Sequence, residues 1–170
     1  SARLLYDKGV ETLVDASRIL RTQINVRIAL VGDLDPGNPS SIKKSIVENW
    51  EKEGLIEWWG FQIDMLKVYQ RSNIVTLPSF GEGLPTVLIE AASCGRAIVT
   101  TDVAGCRDVV EDGINGILVP PKDPNALAEA ILLLVKDAKK REKMGQEVRR
   151  IVLEKFTSKK INEETLKVYQ

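Results

Sequence analysis

Short apolar runs alternate with amphipathic segments through the first 120 residues of the chain. The apolar runs are predicted strands at 26–31, 55–59, 74–77, 97–100 and 117–119. Each run is apolar on both faces, as is typical of a sheet covered on both sides. Strands that alternate with helices predict a parallel sheet with right-handed crossovers. The pattern therefore predicts a doubly wound α/β fold.

Helical spacing of apolar residues fills the segments between the strands. Beyond residue 122 only helices are predicted, so we expect a core at 1–122 and C-terminal helices of the same domain at 123–170. The first predicted helix is marked by Val10, Leu13, Val14, Ser17 and Leu20, the second by Ile42, Ile46 and Trp50 with a cap at Ser40 or Ser41, and the third by Met65 and Tyr69. The fourth covers 85–92, with Pro85 in its first turn, and the fifth starts at Asp123-Pro124 and is marked by Leu127, Ile131 and Leu134. The last two are marked by Met144, Val148, Ile151 and Val152, and by Ile161, Thr165 and Val168.

Composition narrows the classes of function. The 24 basic and 24 acidic residues of this 170-residue chain cancel, which argues against a nucleic-acid partner. The absence of histidine excludes every triad that uses it and the common metal sites. Cys94 and Cys106 are typical of reduced, packed thiols in a cytosolic protein. The first residue is Ser1, and 2–9 is typical of a strand end that leads into a loop, so we expect a domain of a longer protein.

The loops that follow the strands are rich in glycine, proline and charge. In an open parallel sheet, ligands bind beyond the carboxyl ends of the strands. Ordinary loop composition is the alternative explanation. If the loops converge on one edge, they form a cleft of nucleotide size. These loops are 3–9, 32–39, 58–61, 78–85 and 101–106.

The loop at 81–85 has features of an anion site. Its glycines let backbone N–H groups approach a ligand, and the helix start that follows favours negative charge. We therefore predict a diphosphate over Gly83 and Leu84. The chain has neither a Walker loop nor the dinucleotide fingerprint.

Charged residues near these loops are candidates for ligand contacts. Glu90 could accept hydrogen bonds from the two hydroxyls of a ribose, while Glu82 faces the mouth of the cleft. Arg3 and Lys8 could neutralise phosphate. Solvated surface charge is the alternative for each of them. Trp58, Trp59 and Phe61 could be a platform for a base or part of the core.

An ordered set of segments resembles the C-terminal, donor-binding half of a GT-B glycosyltransferase. The resemblance is to the large retaining family, glycosyl transferases group 1, of sucrose-phosphate synthase and of bacterial capsule and lipopolysaccharide enzymes. It implies a Rossmann-like fold and covers nearly the whole chain. The segments are 3–9, 31–33, 59–61, 78–85, 90–95 and 115–120.

This resemblance implies a role for each candidate residue. Arg3 and Lys8 match the pair that holds the donor diphosphate, and Glu82 matches the catalytic glutamate beside the transferred sugar. Ala2 departs from the more usual glycine. The remaining matches are Gly83 and Leu84 as backbone donors, Glu90 at the ribose, Gly60 and Phe61 near the base, and Gly32 in the cleft lining.

The implied reaction needs no metal or other cofactor. Asp33 and Asp35 formally match an Asp-x-Asp metal motif, but their proline-flanked position favours a turn. The implied donor is a nucleoside diphosphate sugar, by resemblance a UDP-sugar, and the product retains the anomeric configuration. The implied acceptor is a glycan or lipid-linked sugar held by an N-terminal domain outside this sequence. We expect a cytoplasmic protein, with peripheral association at the inner face of the membrane left open.

Two other functions compete with the transferase. One is a module that binds nucleotide sugars without transferring them. The other is a sugar-nucleotide epimerase of the same architecture. The combination of the basic pair with Glu82 and Glu90 favours the transferase over both.

Overall fold

A computed structural model of the chain describes residues 3–156. Ser1, Ala2 and the last predicted helix, marked by Ile161, Thr165 and Val168, lie outside the described residues. Within residues 3–156, no helix has the length and apolar character needed to cross a bilayer. The strands are β1 (Ala29–Val31), β2 (Glu57–Gly60), β3 (Ile74–Leu77), β4 (Ala97–Thr101) and β5 (Ile117–Val119). The helices are α1 (Val10–Arg21), α2 (Lys44–Lys52), α3 (Met65–Arg71), α4 (Thr86–Ser93), α5 (Ala104–Arg107), α6 (Pro124–Lys136) and α7 (Ala138–Lys155).

All strand pairs are parallel, which confirms the predicted α/β class. Two ladders are formed, β1 with β2 and β3 with β4 with β5. A groove of about 580 Å³, lined by residues of both strands, lies between β1 and β3. Among the described residues these two strands do not pair with each other. The single sheet implied by the sequence is therefore present as two parallel ladders on either side of a groove.

The predicted strand at 26–31 is shorter in the structure. β1 begins at Ala29, although Ile28 still accepts a hydrogen bond from the N–H of Glu57. Similarly, β2 begins at Glu57 rather than at 55. Leu55 is buried in the core before the strand, and its carbonyl accepts from the hydroxyl of Ser17. Leu55 thus packs in the core without joining the parallel ladder.

Strand β4 lies between two apolar layers. Val99 packs in the cluster that holds α1 and α6, while Ile98 packs in the cluster that holds α4 and α7. All five residues of β4 are buried. The apolar run at 97–100 thus reflects helices on both faces, as its pattern predicts.

Helix starts agree with the sequence in one case and differ in two. Asp123 caps α6 by accepting the N–H of Ala126 at 2.9 Å, and Pro124 is the first helical residue. The predicted cap of α2 at Ser40 or Ser41 is wrong, because α2 begins at Lys44 and the Ser41 hydroxyl binds the backbone N–H of Asp35. Pro85 immediately precedes α4 instead of lying in its first turn.

The N-terminal segment crosses the strand ends. The N–H of Leu4 donates to Asp33, and Leu5 forms an isolated antiparallel bridge. A 3-10 turn, Tyr6–Lys8, follows and ends at Gly9, with φ at +69°. Residues 3–9 thus form a loop, as predicted, and the predicted strand end before them lies outside the described residues. A Cβ at Gly9 would lie 1.9 Å from the carbonyl oxygen of Pro78, so only glycine fits there.

Candidate functional site

The loops after β1 and β2 meet at the carboxyl edge of their ladder. The N–H of Gly32 donates to the carbonyl of Gly60 at 2.9 Å. The indole N–H of Trp58 donates to the carbonyl of Gly32 at 3.1 Å. Leu4 joins this group through its 2.9 Å bond to Asp33. The predicted cleft residues Gly32 and Gly60 thus lie side by side.

The loops after β3, β4 and β5 meet at the same edge of the other ladder. The N–H of Phe80 donates to Asp7 at 2.9 Å, which ties the loop after β3 to the N-terminal turn. The N–H of Gly105 donates to the carbonyl of Glu82 at 3.2 Å. The ammonium of Lys122, after β5, lies 4.9 Å from the centre of the Phe80 ring. The segment 4–9 therefore bridges the carboxyl edges of both ladders.

Lys8 and Glu82 form the central charged contact of this edge. The Lys8 Nζ lies 2.8 Å from Glu82 Oε1, although the residues are 74 positions apart in sequence. The side chains are only 26% and 11% exposed, so solvent screens their attraction less than at an open surface. An anionic ligand that enters here would share the ammonium with Glu82.

Arg3 occupies a more open position. Its side chain is 67% exposed, and its guanidinium pairs with Asp35 at 2.8 Å. An exposed pair of this kind contributes little to stability, so the guanidinium can leave Asp35 at small cost. Among the described contacts, Arg3 does not touch the Glu82 loop. The two predicted phosphate ligands thus lie on the same short segment with different partners.

Gly83 and Leu84 lie in the loop before α4. The helix begins two residues later, at Thr86. Both residues are exposed, and their N–H groups have no hydrogen-bond partner within residues 3–156. These donors are available to a ligand that lies beside Lys8 and Glu82.

The backbone of the loop at 81–85 packs closely against Gly105. A Cβ at Gly105 would lie 2.2 Å from the carbonyl oxygen of Gly83 and 2.6 Å from that of Glu82. Neither backbone atom can yield without a shift of the loop. The absence of a side chain at Gly105 therefore sets the position of Glu82 and Gly83.

Glu90 is exposed on α4 and is held by a residue of α3. Its Oε2 accepts the hydroxyl of Tyr69 at 2.8 Å. Tyr69 is only 3% exposed. The Tyr69 hydroxyl thus holds one oxygen of the carboxylate, which lies on the helix that follows the Glu82 loop.

Aromatic residues line the end of the edge formed by β2. Phe61 is 62% exposed, beside Gly60 with its positive φ of +63°. Trp58 and Trp59 are half-buried. The guanidinium of Arg71 lies 4.4 Å from the centre of the Trp59 ring. Phe61 is therefore the most accessible of the three aromatic residues considered for base contact.

Asp33 and Asp35 have the contacts of a turn. Asp33 Oδ1 accepts the N–H of Leu34 at 2.9 Å, and Asp35 pairs with Arg3. Across residues 3–156 no group of three or more acidic or cysteine side chains could hold a metal ion.

Cys106 lies beneath the Glu82 loop and is fully buried. Burial raises the pKa of its thiol above the ordinary value, and the nearby Glu82 carboxylate raises that pKa further. The thiol therefore stays protonated at neutral pH and acts as a packing group.

Most of the chain matches a known protein family. Residues 1–137 match the family described as "Glycosyl transferases group 1". The chain belongs to this family.

Related group 1 sequences span almost the whole chain. It is 30% identical over 168 residues to the N,N'-diacetylbacillosaminyl-diphospho-undecaprenol α-1,3-N-acetylgalactosaminyltransferase of Campylobacter jejuni, covering 99% of the chain and 43% of that protein. It is 31% identical over 168 residues to the capsular polysaccharide biosynthesis glycosyltransferase CapM of Staphylococcus aureus, covering 98% of the chain and 44% of that protein. The chain thus spans less than half the length of these relatives.

Solved structures of this type share the fold. Anabaena HepE in complex with UDP matches with a TM-score of 0.88 and 26% identity, over 99% of the chain and 46% of HepE. Sucrose-phosphate synthase of Thermosynechococcus elongatus matches with a TM-score of 0.86 and 29% identity, over 99% of the chain and 43% of that protein. The resemblance to the C-terminal half of a GT-B glycosyltransferase is therefore confirmed, and with it the Rossmann-like α/β fold.

Some of the site residues predicted from the sequence contact one another in the structure, and others do not. Lys8 meets Glu82, and Gly32 meets Gly60. Arg3 instead pairs with Asp35. The ligand contacts assigned to these residues remain predictions.

Sequence reasoning missed two residues that shape the edge. The sequence pattern places Tyr69 only on the apolar face of a helix, although a buried tyrosine hydroxyl needs a hydrogen-bond partner. Gly105 lies in a predicted cleft loop, but its close approach to the backbone of Glu82 and Gly83 has no signal in a single sequence.

Proposed function

We propose that the chain is the donor-binding domain of a retaining group 1 glycosyltransferase. The full-length protein would move a hexose or N-acetylhexosamine from a UDP-sugar to a lipid-linked or polysaccharide acceptor in cell-surface glycan synthesis. The observation that carries this proposal is the Lys8–Glu82 pair beside the free N–H groups of Gly83 and Leu84.

The first requirement of the reaction is to stabilise the leaving diphosphate. Breaking the bond between sugar and phosphate places new negative charge on the phosphate oxygens. Lys8 and Arg3 supply cations, and the N–H groups of Gly83 and Leu84 supply fixed dipoles. These residues stabilise the charge without a metal ion.

Glu82 acts on the sugar. When phosphate oxygens approach Lys8, they share its ammonium with Glu82. The carboxylate then accepts hydrogen bonds from sugar hydroxyls and stabilises positive charge at the anomeric carbon. Attack by the acceptor from the side on which the diphosphate leaves gives retention.

The nucleoside extends along the same edge. Glu90 accepts the two ribose hydroxyls, and Gly60 and Phe61 lie near the base, with Gly32 in the wall between them. The UDP complex of the similar HepE supports uridine as the base. The printed names of the Campylobacter and Staphylococcus relatives support a lipid-linked or capsular acceptor.

The acceptor site belongs to an N-terminal domain of the full-length protein. The proposed place of action is the cytoplasm, at the inner membrane face when the acceptor is lipid-linked. We therefore expect the 170-residue chain to bind the nucleotide without transferring sugar. A donor hydrolysis assay on the full-length protein distinguishes this enzyme from a binding module.

Thermal unfolding with a panel of nucleotides tests the proposal. UDP should raise the melting temperature of the chain, and free uridine should raise it much less. At 100 times its dissociation constant a ligand adds about 2.7 kcal/mol to the free energy of unfolding. GDP and ADP compare the bases. An unchanged melting temperature with all three diphosphates would refute the donor-binding assignment.

A further inference from the structure

A buried tyrosine of one helix holds the exposed carboxylate of another. Tyr69 on α3 is 3% exposed, and its hydroxyl lies 2.8 Å from Glu90 Oε2 on α4. The carbonyl oxygen of Val87 is also within reach, at 3.4 Å. That distance exceeds the usual 2.5–3.0 Å of an O–H···O bond. The carboxylate is therefore the principal partner of the hydroxyl.

The direction of this hydrogen bond is set by protonation. Burial raises the pKa of Tyr69 far above its ordinary value, and the adjacent Glu90 carboxylate raises that pKa further. The hydroxyl stays protonated at neutral pH and donates to Glu90. Glu90 Oε1 has no partner within residues 3–156, so it remains open to a ligand.

We propose that Tyr69 is a positioning residue that fixes the Glu90 carboxylate for the two hydroxyls of a ribose. This inference rests on the proposed function. A glutamate at an exposed helical position ordinarily loses side-chain freedom when it binds a ligand. Tyr69 lowers that loss before the nucleotide arrives, because its ring is buried and its hydroxyl holds one carboxylate oxygen.

A purely structural role for the same bond predicts a different result. If Glu90 merely satisfies a buried hydroxyl, loss of the bond lowers stability and weakens every nucleotide equally. If Tyr69 positions Glu90, loss of the bond weakens only nucleotides that carry ribose hydroxyls. A comparison of nucleotides with and without ribose hydroxyls therefore distinguishes the two roles.

Isothermal titration of Tyr69→Phe with two nucleotides tests the proposal. The phenylalanine ring keeps the packing and removes only the hydroxyl. We expect the affinity for UDP to fall about threefold to tenfold, the usual effect of losing one hydrogen bond. The affinity for 2′,3′-dideoxyuridine diphosphate should be unchanged. When Glu90 is already replaced by glutamine, adding Tyr69→Phe should leave the ratio of the two affinities unchanged.

Equal losses for both nucleotides, or no loss for either, would overturn the positioning role. If the unchanged chain binds neither nucleotide, the proposed function fails as well. Binding of both by the unchanged chain, without the selective loss, refutes the Tyr69 inference alone.

A second measurement keeps the inference testable if Tyr69→Phe does not fold. The chain has three tyrosines, so 3-fluorotyrosine labelling gives a simple ¹⁹F NMR spectrum. The signals of Tyr6 and Tyr169 are assigned by their replacement with phenylalanine. UDP should shift the Tyr69 signal, and the dideoxy nucleotide should shift it much less. Equal shifts with both nucleotides, or none, would contradict the proposal.

Discussion

Combined Arg3→Ala and Lys8→Ala substitutions should lower the affinity of the chain for UDP at least a hundredfold. Each charged hydrogen bond to phosphate is worth roughly 1.5–3 kcal/mol, whereas a helix N-terminus alone supplies about 0.3–1 kcal/mol. The larger share of the loss should come from Lys8, because Arg3 is exposed and pairs with Asp35. Free uridine should bind almost as before. Titration of both ligands against single and double variants measures this.

A matched control removes two cations elsewhere. Arg18 pairs with Asp15 and Glu53, Lys44 pairs with Glu48, and both cations are more exposed than Lys8. Arg18→Ala with Lys44→Ala changes the net charge equally and should leave the affinity for UDP nearly unchanged at moderate salt. If UDP binds the Arg3 and Lys8 double variant as tightly as it binds this control, the phosphates lie elsewhere.

Replacing Glu82 by glutamine should have a different effect from replacing Glu90 by glutamine. Glu82→Gln in the full-length protein should lower kcat by about 10²-fold or more, the usual cost of removing a group that stabilises transition-state charge. The affinity for UDP should hold or rise, because Lys8 loses its competing carboxylate. Glu90→Gln should instead weaken UDP binding by about tenfold or more, since charged hydrogen bonds to the ribose are lost.

Steady-state kinetics and UDP titrations on both variants separate these effects. Melting temperatures serve as the control for folding, since Glu82 forms a partly buried ion pair. Equal changes in kcat and in UDP affinity for the two variants would argue against this division of roles.

The sequence predicted best where local pattern and packing agree. The run at 97–100 is buried on both faces and became β4, and Asp123 with Pro124 started α6 as expected. The cap of α2 was wrong, because tertiary bonds take Ser41 elsewhere. Loop position and charge predicted Arg3, Lys8 and Glu90 as candidate ligands, and the family resemblance then implied a role for each of them.

Contacts between distant residues were beyond the reach of pattern alone. Lys8 and Glu82 are 74 positions apart, and no spacing rule indicates that they touch. Tyr69 has the spacing of an ordinary core residue, and only the packing of α3 against α4 brings its hydroxyl to Glu90. Likewise, Arg3 lies five residues before Lys8 in sequence, yet it has a different partner.

A crystal structure of the chain with UDP tests the central claim most directly. The account predicts the diphosphate about 2.7–3.2 Å from Lys8 Nζ and from the N–H of Gly83 or Leu84. The ribose hydroxyls should lie at the same range from the carboxylate of Glu90. A nucleotide that contacts neither Lys8 nor the N–H groups of Gly83 and Leu84 would contradict the assignment of this edge as the donor site.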